Sequence, residues 1–126
     1  MPFVYVPFRT SLTSLEEAKK EVERLYECSR NLLEKNSDFV YWFENDFEKD
    51  IKTLEGIIEK ISSTKEEGKV SGKLEVIRRE AKKLKEERTR LILGRYYSVY
   101  YSRSKEVFNA FYDLLDYLMD LLQLKT

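Results

Sequence analysis

The chain has 126 residues, of which 42% are hydrophobic, 37% charged and 13% aromatic, with only four glycines and two prolines. That apolar content excludes a disordered chain, and so few turn residues exclude an all-β domain, which turns every ten positions or so. Basic and acidic side chains balance at 23 each, so no global field draws the chain toward nucleic acid or a membrane. Histidine is absent and Cys28 is the one cysteine, which removes disulfide frameworks and zinc sites of the usual ligand types.

Residues 1–12 open with Pro2 and Pro7 among aromatic and β-branched residues, a pattern that predicts an extended arm. Residues 13–126 then read as one helical domain. Ser14 and Glu17 have the spacing of a capping box, which satisfies two free amides at a helix start. Leu15, Ala18, Val22, Leu25, Ser29 and Leu32 recur in steps of three and four, predicting a helix to about Lys35. Cys28 lies beside this face and is expected to be buried as a small hydrophobe. Asn36 and Ser37 break the pattern and re-cap it.

A second helix follows, with Val40, Phe43, Phe47, Leu54, Ile58 and Ile61 on one side and Phe39, Tyr41 and Trp42 crowding its start. The polar segment Ser62 to Gly72 is the clear loop. Leu74, Ile77, Ala81, Leu84, Arg88, Leu91, Arg95 and Val99 predict a third helix, with Tyr96 to Tyr101 as its last turns. Its continuity through Gly94 stays open. Ser102 or Ser104 is expected to cap a fourth helix carrying Phe108, Phe111, Leu115, Leu118 and Leu122. The prediction is an all-α fold, a four-helix bundle with an extended N-terminal arm.

Charge is unevenly spread along the chain. Residues 37–62 carry 3 basic against 7 acidic side chains, residues 63–106 carry 13 against 7, and residues 107–126 carry 1 against 3. One reading has the acidic helices flanking the basic third helix and neutralising it. The other makes Arg78, Arg79, Lys82, Lys83, Lys85 and Arg90 an outward patch for phosphates or an acidic partner. Arg88 and Arg95 fall on the apolar stripe itself, where a charge needs a carboxylate or a route to the edge. Asp113, Asp116 and Asp120 on the fourth helix are the expected partners, as structural ion pairs.

Catalytic chemistry is hard to place. Cys28 has no histidine to activate it, and di-iron bundles need Glu-x-x-His pairs. Glu44 to Asp50 lacks the glycine and the terminal glutamate of a calcium loop. Gly56, Gly68, Gly72 and Gly94 are scattered and form no phosphate-binding loop. No catalytic residue, metal ligand or cofactor is expected, and the chain is read as a non-enzyme.

Nine Tyr, seven Phe and one Trp are many for a small bundle. The fourth helix is apolar on most sides, which predicts that something beyond three neighbouring helices covers it. Phe108, Phe111, Tyr112, Leu115, Leu118 and Leu122, with Phe3 and Tyr5 of the arm, are therefore the expected partner interface. A homo-oligomer or a protein hetero-partner is the expected occupant. Nucleic acid on the third helix is the alternative.

Ser37-Asp38-Phe39 opening the second helix, then Lys73 to Leu93 with Arg88-Thr89-Arg90 near its end, resembles the helical domain of GINS proteins. These are small subunits of the archaeal and eukaryotic replicative helicase complex. The resemblance spans roughly residues 15–122, leaves out the small β-domain of that family, and implies a non-catalytic subunit of a hetero-tetramer. In size, arm and aromatic content the chain also resembles helical coat proteins of filamentous archaeal viruses. Abundant Lys and Glu with a single glutamine, Gln123, fit a thermophilic source. No apolar run approaches the roughly 18 residues that span a bilayer and no signal-peptide pattern opens the chain, so a cytoplasmic location, or a virion, is expected.

Overall fold

The computed structural model describes residues 6–36, 38–61 and 67–124, with side chains described from Leu15 onward and Glu67 excepted. Among them the chain is all helical: α1 (Val6–Glu34), α2 from Phe39 to Lys60, α3 (Glu67–Leu93) and α4 (Tyr97–Leu121). No strand occurs among the described residues. The all-α bundle read from the sequence is the fold.

Helix α1 starts at Val6, well before the Ser14 capping box. Pro7 then lies in the first turn, the one place in a helix where its missing N–H costs nothing. The extended arm expected over residues 1–12 is thus helical from Val6. Phe3 and Tyr5 lie outside the described residues.

Helix α2 has three continuous parts: Phe39–Tyr41, a π-helical turn Trp42–Asp46, and Phe47–Lys60. Asp38 caps it, accepting from the amides of Val40 at 3.0 Å and Tyr41 at 3.3 Å. The wider turn adds one residue and so rotates the helix phase by about 100°. With that phase shift Phe39, Trp42, Phe43 and Phe47 all lie buried. Trp42 packs edge-on to Phe108 at 5.0 Å and tilts against Phe111 at 5.3 Å, while Phe39 meets Phe108 at 5.1 Å.

The helices run alternately up and down. Glu55, Glu48 and Glu44 descend α2 as Arg78, Lys85 and Arg88 ascend α3, and each acid pairs with its opposite base. Along α3 and α4, Lys73 lies over the Tyr117 ring at 5.3 Å and Arg103 bonds Glu87 at 2.9 Å. Lys60 at the end of α2 reaches back to Glu21 of α1 at 2.9 Å.

Helix α4 lies at the centre, packed on α1, α2 and α3 together. That placement explains its all-round apolarity from within one chain. Phe108, Phe111, Leu115 and Leu118 are fully buried, and Tyr112 and Leu122 pack partly buried against the same core. The partner interface expected on this helix is its own bundle's interior.

Helix α3 ends at Leu93, not beyond the tyrosines. Arg95 takes a left-handed backbone (φ 65°), the Tyr96 amide donates to the Leu91 carbonyl at 2.7 Å and the Arg95 amide to the Ile92 carbonyl at 3.2 Å. This pair of reversed bonds closes the helix. Tyr97 therefore opens α4, Val99 is exposed, and Ser102 and Ser104 lie inside α4 rather than at its cap. At the other end of α3, Gly68 and Gly72 sit within the helix, not in the loop predicted there.

Candidate functional site

The polar centre of the molecule forms where the π-helical turn of α2 meets α3 and the first turns of α4. The Tyr100 ring is fully buried, and its hydroxyl donates to Glu44 Oε2 at 2.8 Å. Arg88 Nε donates to the same oxygen at 2.5 Å. Phe43, Asn45, Glu48 and Lys85 complete a cleft of about 400 Å³ beside them. The Arg88 guanidinium holds the Glu44 carboxyl below its ordinary range, with the Tyr100 bond acting the same way against partial desolvation. Burial and the adjacent carboxylate hold the Tyr100 phenol well above its ordinary range. The shifts of all three groups run away from neutral pH, and their bonds tie α2, α3 and α4 together at one level.

The expected ion pairs therefore change partners. Arg88 pairs with Glu44 on α2 and not with the aspartates of α4. Asp116 accepts from the Tyr26 hydroxyl at 3.2 Å, beside a Tyr26–Tyr112 ring stack at 5.2 Å. Burial and the bond with Tyr26 push the Tyr112 phenol up to about 12. Arg95 is exposed in the α3–α4 junction, and Asp113 is exposed on α4. Cys28 is exposed as well, on the outer side of a turn of α1 whose inner side buries Leu25 and Ser29.

The basic patch is largely spent within the fold. Arg78 pairs with Glu55, Lys85 with Glu48, Lys83 with Glu80 at 3.7 Å and Arg90 with Glu87 at 2.6 Å. Only Arg79 and Lys82 of that patch stay exposed without an ion pair among the described residues. On the α2 side the basic helix is neutralised by the Glu55, Glu48 and Glu44 ladder.

Sequence reasoning missed a different surface, at the α3–α4 junction. Leu93 is 78% exposed, Tyr96 55%, Tyr97 49% and Val99 40%. Tyr41, 61% exposed, stands on α2 three residues before Glu44, which the antiparallel ladder places level with the last turn of α3. The rim is mixed in charge. Asp38 and Glu44 lie close enough to Tyr97 to help burial raise its phenol, and Arg95 adjoins Tyr96. Gly94-Arg95 was the signal in the sequence: a helix end there leaves the following tyrosines starting a new helix at the surface.

Among the described residues no group of three His, Cys, Asp or Glu is placed to hold a metal ion, and no helix is long and apolar enough to cross a membrane. Comparison with protein-family models, with curated proteins and with solved structures finds no match to the chain.

Proposed function

We propose that the chain is a non-enzymatic assembly protein that pairs with a second copy of itself through the tyrosine-rich α3–α4 junction. The observation that carries this reading is the exposure of Leu93, Tyr96, Tyr97 and Val99 in one short stretch. Isolated exposed hydrophobics are ordinary, whereas a contiguous aromatic patch marks a contact surface. A like partner fits because the rim carries both signs, Asp38 and Arg95. In a two-fold contact each sign meets its opposite, and the formal net charge of zero removes repulsion between copies. The resemblance to GINS subunits implies an assembly role of the same non-catalytic kind.

Light scattering after size exclusion, at low and high salt, tests the proposal. The expected mass is twice the 15.1 kDa chain at both salts, because apolar contacts are not screened. Leu93→Asp, at a position already in solvent, returns it to monomer. A wild-type monomer at every concentration overturns the pairing. Nucleic-acid binding through α3 is the competing reading, supported by Arg79 and Lys82. It predicts instead a DNA affinity that falls steeply with salt and is lost in Arg79→Glu with Lys82→Glu.

A further inference from the structure

A second surface, independent of the tyrosine junction, lies between α3 and α4. Val76, Ile77, Leu84, Val107 and Ala110 form the apolar floor of a groove of about 220 Å³. Val76 is 46% exposed and Ala110 half-buried, and these two present the floor to solvent above the buried Ile77, Leu84 and Val107. Its α4 wall is acidic. Glu106 lines it, and Asp113 follows two turns later on the same face, about 10 Å away along the helix. Both are exposed and neither has an ion pair among the described residues. Arg103, the basic residue at the groove, is already bonded to Glu87.

We infer that this groove docks an amphipathic helix of a partner protein, one with an aliphatic anchor flanked by Lys or Arg residues seven positions apart. The floor accepts one or two aliphatic side chains by desolvation. The two free carboxylates match a pair of cations two turns apart on the incoming helix, which sets its register and polarity. An acidic helix or a nucleic acid meets the same wall with like charge. Lys83 is held at Glu80 and Arg103 at Glu87, which keeps these two bases from Glu106.

Two synthetic helical peptides with the same leucine anchor test the inference, one with Lys and one with Glu at the flanking positions. Each is titrated into isotope-labelled protein and followed by amide shifts. The Lys peptide is expected to bind with shifts centred on Val76, Glu106, Ala110 and Asp113, at least about tenfold tighter than the Glu peptide. Glu106→Lys with Asp113→Lys reverses the preference, and Val76→Lys, which charges the floor, weakens binding of the Lys peptide with the wall intact. No binding by either peptide, equal binding by both, or shifts elsewhere on the surface overturns the inference. Shifts of these same amides on diluting the protein alone also overturn it, since they assign the groove to a second copy. A Leu93→Asp monomer that still binds the Lys peptide separates this groove from the tyrosine junction.

Discussion

Tyr100 and Arg88 converge on a single oxygen of Glu44, one from the buried side of α4 and one from the surface of α3. The three helices that supply them are tied at one level by this contact, although its two bonds span 44 and 56 residues of sequence. Its energetic worth is asymmetric. The Arg88–Glu44 pair is partly exposed and contributes at most about 1 kcal/mol, whereas the hydroxyl of the buried Tyr100 loses its acceptor if Glu44 goes.

Glu44→Ala is therefore expected to destabilise by about 1–3 kcal/mol, and Arg88→Ala by less than about 1 kcal/mol. Tyr100→Phe removes the donor that would be stranded, so its cost and that of Glu44→Ala should not add. A double-mutant cycle read by urea unfolding measures that coupling. The pH dependence follows from the lowered Glu44 carboxyl. The native state releases this proton more readily than the unfolded chain, so the stabilisation is complete above the ordinary value of 4.5 and is lost as pH falls through the lowered one. Wild type should lose stability in acid below about pH 4.5 more steeply than Glu44→Gln.

The α3–α4 junction makes a prediction of opposite signs at neighbouring positions. Arg95 holds a left-handed conformation that a side chain disfavours, so Arg95→Gly should stabilise by about 1 kcal/mol. Gly94→Ala should destabilise, because a Cβ there lies 2.8 Å from the Arg90 carbonyl and 3.0 Å from the Tyr96 ring. Gly72, inside α3 with open space around it, is the control. Gly72→Ala should raise stability by about 0.5–1 kcal/mol. Thermal melts of the three variants check the signs.

The interior was legible in the sequence where periodicity alone decides it. Ala18, Val22, Leu25, Leu74, Ile77, Ala81 and Leu84 are buried, as their spacing of three and four requires. The end of α1 was legible, since Asn36 and Ser37 break the pattern just past Glu34, but α3 was read on into the tyrosines, because the left-handed residue that closes it is Arg95 and not a glycine. The glycines that looked like loop lie in α3 instead. Arg88 was rightly singled out as a charge near the stripe, but its partner depends on the α2–α3 register, which no local pattern encodes. The same holds for Phe108 and Phe111: their apolarity was visible, but that α4 packs on all three other helices is a property of the assembled bundle.

Ser104 is fully buried on α4, and its hydroxyl has no hydrogen-bond partner among the described residues. A buried hydroxyl without a partner keeps its desolvation cost and returns nothing. Ser104→Ala is expected to be neutral or to stabilise by up to about 1 kcal/mol. Ser29, buried on α1, is the comparison, since its hydroxyl is not among the unpartnered atoms. A loss of more than about 1 kcal/mol at Ser104 in urea unfolding would show that the hydroxyl has a partner the geometry does not give it.

Asp50 carries the reverse pH signature to Glu44. Trp42 Nε1 donates to its Oδ2 at 2.9 Å, but burial outweighs that bond and raises the carboxyl above its ordinary 3.8, with the Asp46 charge adding to the rise. The native state therefore holds this proton more tightly than the unfolded chain. Its contribution is present below 3.8 and is lost as pH rises through the raised value, leaving a charged, half-buried carboxylate at neutrality. Asp50→Asn keeps an acceptor for the Trp42 indole and removes the charge. The variant should gain stability relative to wild type as pH rises from about 4 toward 7, and match it in acid. Trp42 is the chain's single tryptophan, so its fluorescence reports both the unfolding transition and the change at its own hydrogen bond. If the variant is less stable than wild type at pH 7, the ionised carboxylate is a better acceptor for Trp42 than its burial allows, and the raised carboxyl is wrong.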